Sequence, residues 1–177
     1  MRQNDRTVGL FATKGVGEEL FRLHARDDLP LAPGVGSALL GYVMGVTPAR
    51  EDLPFRELGG EERVRQLASR FYDHMDADEP ALARLHEVDE HGRVSQGSRD
   101  RFATFLVEWL GGPQVYSPVH GHPRLRMRHA RVAVDVAMRD AWLRCMSRAL
   151  DDLAVEGKLR VFLDARFAEV ADFLRNR

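Results

Sequence analysis

The sequence predicts an all-α domain, and three observations carry that prediction. Apolar residues recur at three- and four-residue spacing in several separate segments, glycine pairs and prolines stand where those segments stop, and no stretch alternates apolar with polar residues. A period near 3.6 gathers such residues on one helical face, whereas a strand would send every second one to the opposite side.

The clearest helix is predicted over Glu61 to Met75, where Val64, Leu67, Ala68, Phe71, Tyr72 and Met75 form one stripe. Gly59 and Gly60 punctuate its start. Asp78 to Pro80 closes it, because proline has no N–H to continue the ladder. A second helix is expected from Ser98 to Leu110, with Phe102, Phe105, Leu106 and Trp109 facing inward and Gly111, Gly112 and Pro113 as the stop. Tyr116 falls in the loop that follows. A short basic helix is predicted over Pro123 to Arg131, with Leu125 and His129 four apart on one face. Asp135 to Leu150 carries Val136, Trp142, Leu143, Met146 and Leu150, and Leu159 to Leu174 carries Phe162, Leu163, Phe167, Val170 and Ala171. Glycines and prolines break up residues 1–50, which leaves short helices near Glu18 to His24 and Ser37 to Met44. The chain therefore divides into an N-terminal extension, 1–50, and a main domain, 51–177.

Composition removes several classes of function. The 177 residues carry 26 Lys and Arg against 27 Asp and Glu, so no overall field draws nucleic acid or an anionic membrane. Cys145 is the sole cysteine, which excludes an intrachain disulfide and a thiolate metal cluster and suits a reducing compartment. No secretion signal is evident, and the weakly polar stretch Gly34 to Val46 is well short of the roughly 20 apolar residues of a spanning helix. A cytoplasmic protein is expected.

His129 is ambiguous by itself. Beside Arg124, Arg126, Arg128 and Arg131 it reads either as a surface or satisfied core residue, or as a neutral imidazole offering one nitrogen to haem iron. The second reading also employs the arginines, because haem propionates need planar cationic partners. Tyr72 and Trp142 each join an apolar body to one polar tip, which suits ordinary core packing or donation to a small ligand.

The order of the motifs favours the haem reading. The segment GGPQVYSPVHGHPRLRMRHA, followed by RDAWLRCM, resembles the group II truncated haemoglobins. The likeness extends upstream through FRELGGEERVRQLASRFYDHM and downstream to VADFLRNR, covering residues 54–177. It implies a truncated globin fold, a two-over-two helical sandwich, holding haem b, iron protoporphyrin IX. By position it makes His129 of RMRHA the proximal iron ligand, and Tyr72 of SRFYDHM and Trp142 of RDAWLRCM the distal donors. ARLHEV, with one inserted residue, adds His86 to the distal network. Ser98 stands where many other globins carry histidine or glutamine, and its small side chain leaves an access route. Phe102, Phe105 and Met127 are implied haem contacts, and Arg101, Tyr116 and Arg128 are implied propionate partners. One departure stands out: the family continues its proximal motif with a small or apolar residue, proline and an aromatic, whereas this chain reads Ala130, Arg131 and Val132.

The resemblance implies reversible binding of O2, CO or NO, with oxygen transport as one use. Alternatives are NO dioxygenation or peroxidase-like chemistry served by a reductase, and a haem sensor that uses the extension. That extension could also cover the pocket or form a homodimer contact. A cofactor-free reading would leave His120 and His122 as a two-histidine metal site, although two ligands in a Gly-rich loop rarely define one. His24, His74 and His91 are expected to face solvent. Cys145 and Met146 are assigned to packing.

Overall fold

The computed structural model describes residues 54–177. The extension and its two expected short helices lie outside those residues. Eight helices follow in order: α1 (Pro54–Glu57), α2 (Gly60–Asp78), α3 (Pro80–Ala83), α4 (Gln96–Trp109), α5 (Ser117–His120), α6 (Leu125–His129), α7 (Val136–Asp152) and α8 (Gly157–Leu174). Among the described residues there is no strand beyond an isolated bridge between Val88 and Val94. No helix among them is long and apolar enough to cross a membrane.

Local chemistry accounts for the boundaries. Gly59 opens α2 at φ 110, where a side chain would be strained, and a Cβ there would lie 2.7 Å from Arg63 Cγ. Glu61 and Glu62 in the first turn complement the positive end of the helix dipole. Ser95 caps α4 by accepting the Ser98 N–H at 3.3 Å, so this helix begins two residues before the expected Ser98. Asp135 caps α7 in the same way, accepting the Met138 N–H at 2.8 Å. α6 is shorter than the predicted Pro123 to Arg131, because Arg124 sits at φ 39 and breaks the helical path just before Leu125.

α2 packs against both α4 and α7, and α7 packs on α8, giving the two-over-two sandwich that the resemblance implies. The apolar stripe expected on α2 is buried in full, and it meets Phe102, Ala103, Leu106 and Val107 of α4 and Cys145, Met146, Ala149 and Leu150 of α7. Arg99 fastens α4 to α2 through Asp73 at 2.8 Å and Asp76 at 2.5 Å, while Asp76 also accepts the Val94 N–H at 2.9 Å. At the other end of α2, Arg63 donates to the Leu153 carbonyl at 2.7 Å, holding the α7–α8 turn.

Three expectations are corrected. Phe162 is 39% exposed and Val136 is 46% exposed, so neither joins the core. The buried face of α8 follows Leu163, Phe167 and Ala171, and Phe162 stands roughly 100° around the helix from Leu163. His74 is half-buried, not solvent-facing, with Nε2 2.9 Å from Asp152 Oδ2.

Gly112 follows α4 where the backbone turns against α1, and the Phe55 N–H donates to the Leu110 carbonyl at 3.0 Å. A Cβ at Gly112 would lie 2.6 Å from the Val107 carbonyl oxygen and 2.7 Å from the Phe55 ring. Gly112→Ala is expected to cost about 1–3 kcal/mol through overpacking. Urea unfolding checks this; an unchanged midpoint would show that Phe55 yields freely.

Candidate functional site

The layers of the sandwich leave a partly open cleft with mostly apolar walls, the usual character of a small-molecule site. α4 supplies one wall through Ser98, Phe102, Phe105 and Trp109, and α8 supplies another through Phe167, Val170, Ala171 and Leu174. Met138, Arg139 and Trp142 enter from α7, Leu82, Leu85 and His86 from α3 and the turn after it, and Leu125 and His129 from α6. Aromatic rings knit the walls together: Trp142 lies 5.1 Å from Phe71 and 5.8 Å from Phe167, and Trp109 stacks on Phe167 at 5.3 Å.

α6 positions His129 by the spacing visible in the sequence. One turn back along the helix, the Leu125 carbonyl lies 2.7 Å from His129 Nδ1. A carbonyl oxygen only accepts, so Nδ1 carries the proton and Nε2 keeps its lone pair. Burial pushes the His129 pKa down, against the Leu125 hydrogen bond, and the adjacent Arg128 charge lowers it further. The result is a neutral imidazole with a basic nitrogen, the form in which histidine binds a metal.

His86 has the same local arrangement on the turn after α3. Its Nδ1 lies 3.1 Å from the Leu82 carbonyl, one helical turn back, so its Nε2 is an acceptor and not a donor. Burial lowers its pKa to about 4, opposed by the Leu82 hydrogen bond. Tyr72 lies behind His86 and Phe102, with ring centroids 5.5 Å and 5.6 Å away. It is almost fully buried, and burial raises its pKa, so its hydroxyl stays protonated and remains a donor. The Arg99 guanidinium covers the ring at 5.5 Å.

The expected residues thus separate into three groups. His129, His86, Ser98, Phe102, Phe105 and Trp142 line the cleft, with Tyr72 one layer behind. Tyr116 and Arg128 are buried, and Arg128 donates toward the His120 and His122 carbonyls at 3.5 Å and 3.4 Å. Burial pushes the Tyr116 pKa up to about 12, with the Arg128 and Arg101 charges opposing the rise. Glu108 holds the Tyr116 loop to α4 by accepting the Tyr116 and Ser117 N–H groups at 3.0 Å and 2.9 Å. Met127 is half-buried on α6 and does not line the cleft. His120 packs on the Tyr116 ring at 4.8 Å, whereas His122 accepts the Arg124 N–H at 3.2 Å. Among the described residues no cluster of three or more His, Cys, Asp or Glu side chains could hold a metal ion. Cys145 is buried, and burial raises its thiol pKa to about 11, consistent with packing.

Sequence reasoning did not identify Met138 or Arg139 as cleft residues. Arg139 of α7 reaches Asp172 of α8 at 2.7 Å, a pairing across two helices that no local spacing reveals.

Apolar walls, two neutral imidazoles and arginines near the Tyr116 loop fit a flat iron macrocycle bearing carboxylates. A two-over-two helical fold around such a cleft is that of a globin. The family described as bacterial-like globin matches residues 54–176. Group 2 truncated hemoglobin YjbI of Bacillus subtilis is 36% identical over 118 residues, 67% of this chain and 85% of that protein. The cold-adapted truncated hemoglobin of Pseudoalteromonas haloplanktis superposes with a TM-score of 0.65 at 37% identity, over 71% of this chain and 99% of that one. The truncated oxygen-avid haemoglobin of Bacillus subtilis gives a TM-score of 0.63 at 34% identity, over 71% and 100%. The chain belongs to the bacterial-like globins and, within them, to the group II truncated haemoglobins.

The cleft makes a pH prediction. Protonation of His86 is disfavoured in the folded state, so the unfolded chain takes up the proton first as pH falls. Stability from this residue is present above about pH 6.5, the ordinary histidine value, and is lost as pH falls towards about 4. The expected loss is on the order of 2–3 kcal/mol. Urea midpoints of wild type and His86→Phe between pH 7 and pH 4.5 check it; curves that fall in parallel would contradict it.

Proposed function

We propose that this globin holds haem b through His129 and binds O2 reversibly, CO and NO being related ligands of the same site. The observation that carries this reading is the His129 tautomer: Nδ1–H is held by the Leu125 carbonyl at 2.7 Å, which leaves the Nε2 lone pair for iron. When bound, haem would supply an iron atom able to take a diatomic ligand. Phe102 and Phe105 give it apolar walls, and Arg101, Tyr116 and Arg128 are assigned to its propionates. The similarity to a Bacillus subtilis haemoglobin described as oxygen-avid supports O2 as the ligand.

Distal steadying is assigned to the Tyr72 hydroxyl and the Trp142 indole N–H, since each is a donor and a bound diatomic presents acceptor density. His86 enters this network as an acceptor through Nε2, where it can orient a neighbouring donor. Ser98, small and polar, keeps the approach to the cleft open. The test is oxygenation of the ferrous protein followed by removal of gas. Recovery of the starting spectrum over several cycles is expected; immediate oxidation to the ferric form at first exposure would refute reversible binding.

A further inference from the structure

α6 has five residues, Leu125–His129, too few to be stable through its own hydrogen bonds. Its position must come from outside. Proline is absent from the residues that follow His129, so nothing in Ala130, Arg131 and Val132 stiffens the exit. Instead, the chain just beyond α8 returns to this segment and grips it chiefly through Asn176, the Arg177 N–H adding a bond to the Val134 carbonyl at 3.3 Å. Asn176 Nδ2 donates to the His129 carbonyl at 3.0 Å and to the Val132 carbonyl at 2.9 Å. Its Oδ1 accepts the Val134 N–H at 3.0 Å, and its own backbone N–H donates to the Val134 carbonyl at 2.9 Å.

We propose that Asn176 is a positioning residue for His129, its carboxamide fixing the main chain from which the iron-ligating imidazole projects. This rests on the ligand role assigned to His129 above. The ring is held at Nδ1 by Leu125, one turn earlier, and the main chain is held at the His129 carbonyl by Asn176. Two anchors on one residue restrict the direction of Nε2, because the Leu125 bond lies within the short helix and cannot fix that helix against the end of α8. The side chain suits the role, because asparagine offers two donor hydrogens and an acceptor on a short stem, and all are used here. Aspartate retains the acceptor but turns a carboxylate oxygen toward two carbonyls. The clamp also sets the cleft wall, because Val132 and Val134 line it beside Ala171 and Leu174. A second contact supports the docking, the Arg126 guanidinium of α6 lying 5.4 Å from the Phe173 ring of α8.

The experiment compares haem-loaded wild type, Asn176→Ala, Asn176→Asp and Gly112→Ala. Gly112→Ala serves as a destabilised control remote from the clamp. Resonance Raman of the ferrous, ligand-free proteins reads the iron–histidine stretch, and haem transfer to excess apomyoglobin reads retention. Both Asn176 variants are expected to broaden and shift the stretch and to release haem roughly 10-fold faster, the scale of losing an outer-shell partner of a metal ligand. Gly112→Ala is expected to keep the wild-type band. An unmoved band in both Asn176 variants, or an equal shift in Gly112→Ala, overturns the proposal. Hydrogen exchange in wild type gives a reading that needs no variant: the Val134 amide is expected to be protected, and free exchange there overturns the clamp. Absence of any iron–histidine band in wild type would refute the ligand role of His129 itself, a separate failure.

Discussion

His129→Ala is expected to abolish stable coordination of haem iron, the largest effect of any single substitution in this protein. The loss is that of the only coordinating bond the site is proposed to supply, and no neighbouring side chain replaces it. His86 lines the same cleft, but it projects from the turn after α3 and is assigned to the distal network, away from the position His129 holds on α6. The apolar walls remain, so the variant is expected to take up haem weakly and to lose it to apomyoglobin at least about 100-fold faster than wild type, the upper range for disturbing a metal ligand's support. Free imidazole diffusing into the vacated space should restore a histidine-like spectrum. A variant that keeps the wild-type spectrum without added imidazole would remove His129 from the iron.

The second large effect belongs to the opposite side of the cleft. Trp142→Phe and Tyr72→Phe each keep an aromatic ring and remove one donor; packing is conserved in Tyr72→Phe, while Trp142→Phe also gives up part of the indole's contact with Phe71 and Phe167. A hydrogen bond to a charged acceptor is worth about 1.5–3 kcal/mol, and each substitution is therefore expected to speed O2 dissociation by roughly 10- to 150-fold. CO, a poorer acceptor, should respond less. Flash photolysis and stopped-flow displacement measure both rates. Equal acceleration for the two gases would point to a steric change and away from lost donation.

Much of this arrangement is legible in the residues because it depends on short-range spacing. The stripe from Val64 to Met75 is buried in full, since helix period and core face coincide on an element packed on two sides. The pairing of Leu125 with His129 is likewise a four-residue relation, and it fixes the imidazole tautomer as well as its direction. Phe162 shows the limit of that logic: a period identifies a stripe but does not say how wide the covered face is, and α8 is covered only along Leu163, Phe167 and Ala171. Arg124 shows another, because its left-handed φ of 39 is a property of the turn and not of arginine. Asn176 could not be found by pattern at all. Its side chain meets the His129 carbonyl across a separation of 47 residues, and one asparagine after a helix carries no local signal of a distant partner.

Resonance Raman of the ferrous, gas-free protein grown with ring-15N histidine reads the His129–iron bond itself. A single iron–histidine stretch is expected, shifting to lower frequency with the heavier nitrogen and lost in His129→Ala. A band insensitive to the isotope, or one that survives in His129→Ala, would contradict it.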